Sequence, residues 1–304
     1  MESIKILSFG ELLWDKIQGK AYIGGAPFNL AIHLAKMGVH SAYISTLGRD
    51  SLGKKALNIA RQYQLDTRYI TFHPRFPTGT VDVKLRSGGQ PDYVIHEHTA
   101  WDHIILQEKE IKDILAQQWQ AFCFGTLAQR TEDNRQLLYR LLSHLDCDHF
   151  FYDVNLRQAY YQKEWIEHSL QRTSLLKLNE TEVDVLAQLL LGEAYSLKAF
   201  CRAMQERYRL QVICITRGEK GSLVYENETF YESPGEKVHV IDTVGAGDSY
   251  AAGFLLAFLS GIATSRSAVF AGQVGSFVAS QPGAVPLYSR EIKAKIKAIH
   301  DKRN

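Results

Sequence analysis

The chain has 304 residues, 45% of them apolar, with 35 Lys and Arg against 33 Asp and Glu and a formal net charge of +2. That length suits one large α/β domain with an inserted piece, or two domains, and the balanced charge offers neither a basic field for nucleic acid nor a like-charge tail. Four scattered cysteines (Cys123, Cys147, Cys201, Cys214) and a start, Met1-Glu2-Ser3-Ile4-Lys5, unlike a secretion signal point to buried thiols in a reducing, cytoplasmic compartment.

From the N-terminus, Ile4–Phe9 reads as a strand and Phe28–Met37 as a helix. Before that helix stands Gly24-Gly25-Ala26-Pro27-Phe28-Asn29. Bare glycine backbone lets a polyol approach, and an Asn amide both donates to and accepts from hydroxyls. A plain turn with Pro27 in the first helical turn is the simpler account of the segment alone. Ser41–Leu47 is the next strand and Leu52–Tyr63 the next helix. Between them, Gly48-Arg49-Asp50-Ser51-Leu52-Gly53-Lys54-Lys55 nearly matches a phosphate loop. Lys55, however, stands where a hydroxyl must meet magnesium, so a tight turn capped by Asp50 or Ser51 is expected.

Two segments, Leu12–Ile23 and Pro77–His98, have extended patterns with no helix between their strands. Thr80-Val81-Asp82-Val83-Lys84-Leu85 alternates strictly, and Gly88-Gly89 supplies a turn. Alternation means one wet and one covered face, which predicts a small antiparallel flap over the main domain. His96, His98 and His103 lack metal-ligand spacing and are expected to be solvated. Helical periods then follow at Gln107–Gln118, Thr131–Leu145, Glu180–Leu190 and Ser196–Tyr208. They alternate with strands at Ala121–Phe124, Phe150–Val154, Leu175–Leu178 and Val212–Thr216. Such alternation implies βαβ units and a mainly parallel sheet with helices on both faces.

The carboxyl ends of parallel strands are where open α/β sheets bind ligands. Polar groups gather there three times: Asp153-Val154-Asn155-Leu156-Arg157, Asn179-Glu180-Thr181-Glu182, and Thr216-Arg217-Gly218-Glu219-Lys220-Gly221. Each alone reads as a surface loop; together they point to one cleft.

The most informative stretch is Asp242-Thr243-Val244-Gly245-Ala246-Gly247-Asp248, running into the apolar Ser249–Leu259. Two glycines around an alanine bring backbone close to a ligand, and the following helix offers free N–H groups and its positive dipole end to an anion. Asp248 stands at the mouth of that cradle. As a helix cap it would need no glycines before it. A dinucleotide fingerprint fails at Tyr250. A carboxylate beside a phosphate cradle fits a base that takes a proton, hence phosphoryl transfer to a hydroxyl. Three helical stretches, near Ala246–Ser260, Arg266–Ser280 and Ser289–His300, close the chain. Its longest apolar run, about Tyr250 to Ala263, falls short of the roughly 20 residues of a membrane span.

With these segments in place, the chain resembles the ribokinase-like (PfkB-type) carbohydrate kinases from end to end. The N-terminal signature is Gly24–Asn29, with Gly38 and Gly48 beyond it; the C-terminal signature is Asp242–Asp248, followed by Ala252-Gly253. The resemblance implies one three-layer α/β/α kinase domain over residues 1–304, with a mainly parallel sheet and a small β-sheet lid from about 12–23 and 77–98. It implies Asp248 as the base and the N–H groups of Gly245, Ala246 and Gly247 as the phosphoryl cradle. Asp15, Gly24, Gly25, Asn29 and Arg157 would meet the sugar. Asn179, Thr216, Gly218, Gly221 and Gly247 would meet ATP, and Glu182 would orient Mg²⁺ through water. Asp242 and Val244 resemble ligands of a monovalent cation such as K⁺.

Gly10-Glu11-Leu12-Leu13-Trp14-Asp15, Ala100-Trp101-Asp102 and Gly125-Thr126-Leu127-Ala128-Gln129-Arg130 fit the bacterial fructokinase branch. The expected reaction is therefore transfer of the ATP γ-phosphate to a primary hydroxyl, with D-fructose giving fructose 6-phosphate. The alternatives are a 2-keto-3-deoxygluconate kinase, with Arg157 or Arg75 facing the acid, and a silent sugar-binding regulator. Ala271-Gly272-Gln273 departs from the Ala-Asn that many relatives place beside the adenine. The expected partners are sugar and ATP, without nucleic acid or membrane, and a homodimer through the lid.

Overall fold

In the computed structural model, residues 4–17, 19–85 and 91–303 are described. The expected turn at Gly88-Gly89 lies outside them. Strands β1 (Lys5–Phe9), β2 (Leu13–Ile17), β3 (Lys20–Gly24), β4 (His40–Gly48), β5 (Ile70–His73), β6 (Gly79–Leu85) and β7 (Pro91–Ile95) occupy the first third. With them come helices α1 (Ala26–Lys36) and α2 (Ser51–Gln62). The middle alternates α3 (Glu108–Leu115), β8 (Trp119–Gly125), α4 (Glu132–His144), β9 (Cys147–Asp153), α5 (Lys163–Leu170), β10 (Leu175–Asn179), α6 (Glu180–Leu186), α7 (Leu197–Tyr208) and β11 (Val212–Thr216). A hairpin, β12 (Ser222–Glu226) and β13 (Thr229–Ser233), precedes α8 (Ala246–Leu259), α9 (Thr264–Ala279) and α10 (Arg290–Arg303).

The main sheet has the order β13-β12-β11-β10-β9-β8-β1-β4-β5. Neighbours from β11 to β5 pair in parallel, and only the β12–β13 edge is antiparallel. Successive residues of the strands feed opposite faces. Leu7, Phe122, Tyr152 and Leu176 join one apolar cluster with α4, α6 and α7, while Ile6, Ala121, Phe151 and Leu175 join another with α1, α8, α9 and α10. Burial on both faces makes these strands continuous apolar runs, as parallel sheets require. The result is the expected three-layer α/β/α arrangement. Strands β5, β12 and β13 and helix α5 were not foreseen. The Glu180–Leu190 helix is α only to Leu186 and continues as a π turn over Ala187–Leu191.

The second sheet, order β3-β2-β6-β7, is where the sequence expectation needs correcting. Its two hairpins, β2–β3 and β6–β7, are antiparallel, but β2 and β6 join them in parallel. The direction follows from the main sheet. Chain leaving β1 enters β2, and chain leaving β5 enters β6, so two strands that exit one parallel sheet at one edge stay parallel. The small sheet is pinned on both sides. Trp14 of β2 is buried and donates its indole N–H to Leu52 O at 3.2 Å. Beyond β7, Arg130 donates to both Asp102 oxygens at 2.6 and 2.8 Å and to His96 O at 2.7 Å.

Asp50 caps α2 as expected, accepting from Gly53 N at 2.8 Å, and it also accepts from Thr78 N and Oγ1 at 2.8 and 2.7 Å. The near-miss phosphate loop is thus a turn fastened to Thr78, the residue before β6. His96 pairs with Asp82 at 2.8 Å, and His103 stacks on Phe76 with ring centroids 4.1 Å apart. Among the described residues, no helix is long and apolar enough to cross a membrane.

Candidate active site

A cleft of about 920 Å³ opens between the carboxyl edge of the main sheet and the small sheet. Its walls include Leu13, Asp15, Ile23 and Val81 from the small sheet, Asn29 from α1, Lys177 and Asn179 from β10, Thr216 from β11, and the Asp242–Asp248 segment. The topology brings strand ends, two helix N-termini and the small sheet to one place.

Asp248 sits in the first turn of α8 and is nearly buried. Its Oδ2 accepts from Asn29 Nδ2 at 2.8 Å. Burial pushes its pKa up to about 6; the Lys177 charge, the Asn29 hydrogen bond and Arg157 oppose that rise, and Asp153 adds to it. A carboxyl poised near neutrality suits a group that must accept a proton. Gly245 is the N-cap of α8 with φ 76°, and a Cβ there would fall 2.7 Å from Ala284 Cα. Only glycine takes that left-handed turn without strain and clears the neighbouring loop. Gly245 and Gly247 line the cleft, and Ala246 lies between them.

Lys177 was not anticipated. Its Nζ lies 3.0 Å from each oxygen of Asp153 and 3.1 Å from where a Gly247 Cβ would stand. Burial alone would lower its pKa, but Asp153, Glu182 and Asp248 outweigh that and raise it, so the ammonium stays charged beneath the cradle. The signal was present in Leu175-Leu176-Lys177-Leu178, one cation inside a buried apolar strand, where charge is rare unless paired.

Glu11 was also missed. It is buried, lines the cleft and accepts from Ala26 N at 3.3 Å through Oε1, while Oε2 has no partner among the described residues. Burial pushes its pKa up to about 7, against the lowering by backbone hydrogen bonds and Arg157. It supplies the cap that α1 lacks, since Gly25 at the N-cap has no side chain and the first turn has no acid. Gly25 (φ 115°) clears Glu11 O only because it has no Cβ.

The other expected residues divide. Asp15 lines the cleft beside Gly24, whose bare Cα leaves room for the Asp15 carboxylate; burial raises its pKa to about 6. Arg157 lines the cleft, and Arg75 lies outside its wall. The row Asp153, Asn155, Arg157 is not one alternating strand face. β9 ends at Asp153, whose carboxylate turns to Lys177, and the chain then bends through Asn155 at φ 39°. Asn179 and Thr216 line the cleft, whereas Gly218 and Gly221 do not. Gly221 packs against Ser233–Gly235 at the base of the β12–β13 hairpin.

Asn179 and Glu182 form a reciprocal cap on α6: Glu182 N donates to Asn179 Oδ1 at 2.9 Å and Asn179 N to Glu182 Oε2 at 2.8 Å. The other Glu182 oxygen accepts from Leu156 N at 2.9 Å. Both oxygens of Asp242 accept from backbone as well, from Val244 N at 3.0 Å and Gly283 N at 3.1 Å.

A family model described as pfkB family carbohydrate kinase matches residues 3–290. The chain belongs to that family. It is a sugar kinase. A fructokinase of Salmonella typhimurium is 25% identical to this pfkB-family kinase over 254 residues, 81% of this chain and 80% of the relative. A 2-dehydro-3-deoxygluconokinase structure from Thermotoga maritima aligns with TM-score 0.81 at 21% identity, covering 97% of this chain and 99% of its own. A double-mutant fructokinase of Vibrio cholerae O395, bound to fructose, ADP and potassium ion, aligns with TM-score 0.81 at 21% identity over 97% and 98%.

Proposed function

We propose that the enzyme transfers the γ-phosphate of ATP to the primary hydroxyl of D-fructose, giving fructose 6-phosphate. The observation that carries this reading is Asp248, held by Asn29, standing over the Gly245–Gly247 turn at the head of α8 in a cleft shared with Asp15. Asp248 takes the hydroxyl proton as the oxygen attacks phosphorus. The N–H groups of Gly245, Ala246 and Gly247, with the α8 dipole and Lys177, hold the charge on the transferring group. Asp15, Asn29 and the bare backbone at Gly24 and Gly25 meet the sugar hydroxyls, and Asn179 and Thr216 face the nucleotide.

The small sheet acts as the lid, walling the sugar from water.

Glu182 stands behind Asn179 and outside the cleft wall, with each oxygen accepting from one backbone N–H, so it fits Mg²⁺ held through water at the Asn179 side of the cleft. The metal would shield the ATP phosphates there. The oxygen-only turn at Asp242 and Val244 fits a monovalent cation, and the potassium-bound fructokinase of V. cholerae supports K⁺ as that ion.

Fructose is favoured over a sugar acid by the charges of the wall. Among the described residues of the wall, Asp15, Asp248 and, once ionised above about pH 7, Glu11 face Arg157, and Lys177 is already matched by Asp153. A substrate carboxylate would meet three acids there. The fructokinase relative of S. typhimurium supports the same choice. The test is a screen with ATP and Mg²⁺ across fructose, ribose, 2-keto-3-deoxygluconate and nucleosides, reading ADP release. Fructose should give the highest kcat/KM; a sugar acid in first place would overturn the assignment, and no turnover of any acceptor would overturn the kinase reading.

A further inference from the structure

Helix α1 presents Asn29 and His33 four residues apart, so both side chains lie on one face of the helix. Asn29 holds Asp248. His33, fully buried, reaches the opposite side of the transfer machinery. Its Nε2 lies 2.9 Å from Ala284 O and its Nδ1 2.5 Å from the Tyr288 hydroxyl. A carbonyl can only accept, so Nε2 carries the proton and Nδ1 accepts from Tyr288. Burial keeps the ring neutral, with its pKa pushed down to about 3. One turn further on, Lys36 donates to Pro286 O and sits 4.5 Å over the Tyr288 ring.

The segment held in this way is the cradle's support. Ala284 is the residue on which left-handed Gly245 rests, and Gly283 beside it donates to Asp242. Pro282, Gly283 and Ala284 themselves line the cleft. One helical face therefore touches both halves of the site: the base through Asn29, and the anion cradle through His33 and Ala284.

We propose that His33 is a positioning residue for phosphoryl transfer, which fixes the Gly245–Gly247 cradle relative to the Asn29–Asp248 pair through its hydrogen bond to Ala284. The inference rests on the kinase reading above. Histidine suits the task because it donates at one end and accepts at the other within a rigid ring. Leucine fills similar space but leaves Ala284 O and the Tyr288 hydroxyl without partners, whereas glutamine can restore a donor and an acceptor.

The experiment compares His33→Leu, His33→Gln and Tyr288→Phe with wild type, using whichever sugar wild type turns over best. His33→Leu should lower kcat by about 10- to 100-fold, the range expected when a supporting residue lets reacting groups drift. The KM for sugar should stay within about twofold, because the sugar contacts are untouched. His33→Gln should recover most of the rate, and Tyr288→Phe should lower kcat less than His33→Leu does. A filler role gives the reverse order, Leu faster than Gln, since a buried amide is harder to accommodate than an alkyl chain. That order overturns the proposal, as does a Tyr288→Phe enzyme with unchanged kcat. Circular dichroism shows whether the Leu variant folds; if it does not, the Gln and Phe variants decide alone. Wild type without turnover of any sugar removes the kinase reading, and with it this inference. Wild-type turnover with equal rates in all variants removes only this inference.

Discussion

Asn29 and Asp248 lie 219 positions apart in the chain and meet in a buried hydrogen bond of 2.8 Å from Nδ2 to Oδ2. The two signature segments of the sequence thus close on each other through this bond. That bond stabilises the ionised carboxylate, working against the burial that raises the Asp248 pKa to about 6.

The acid limb of kcat/KM should therefore fall as pH drops through about 6, because Asp248, in its proposed role as base, must be ionised to accept a proton. Asn29→Leu removes a bond to the anion, so the limb should move to higher pH by about half to one unit, as expected for a hydrogen bond worth about 1 kcal/mol. A pH–rate profile of each protein checks both statements. A limb that stays in place in the variant would show that Asn29 does not tune the base.

Asp248→Ala should lower kcat by about two to four orders of magnitude, the span of a positioned general base. Sugar affinity, measured by calorimetry without ATP, should change little, since the interaction lost belongs mainly to the transition state. Near-normal turnover would remove Asp248 from the role of base.

The glycine turn into α8 and the α/β/α layering were legible because they are local. Gly245 to Asp248 are contiguous with the helix they begin, and apolar runs such as Val212–Ile215 announce buried parallel strands. What was not legible depends on distant pairing. Asp153 read as one of three polar groups at a strand end until Lys177, on the neighbouring strand, drew its carboxylate inward. Glu11 caps a helix that begins 15 residues later, a relation no local pattern encodes. The parallel joining of β2 to β6 follows from strand directions in the other sheet, which alternation within Thr80–Leu85 cannot express.

Glu11 gives a stability test with a defined sign. Its folded pKa, about 7, is above its ordinary value of 4.5, so between those limits the folded protein binds the proton and the unfolded chain does not. The stabilisation is complete below about pH 4.5 and is lost as pH rises through about 7, by about 3 kcal/mol. Glu11→Gln cannot ionise and keeps an oxygen for Ala26 N. Its Tm should match wild type at low pH and exceed it above neutrality. A constant Tm difference across the range would show that Glu11 does not titrate near 7.

The Asp153–Lys177 pair permits catalysis and stability to be separated. Lys177→Met strands the Asp153 carboxylate in a buried site, so unfolding free energy should fall by about 3–5 kcal/mol and kcat should fall with it. Replacing both partners, as Lys177→Met with Asp153→Leu, removes the stranded charge; well-packed apolar residues in place of a buried ion pair are often neutral or stabilising. Denaturant unfolding of the double variant should therefore return toward wild type. Activity should not return, because the cation beneath Gly247 is still missing when charge moves onto the transferring phosphoryl group. If kcat recovered along with stability, Lys177 would be a structural partner of Asp153 and no part of the phosphate site. If stability recovered while kcat stayed low, with the KM for sugar unchanged, the lost interaction would belong to the transition state and the ammonium to the cradle.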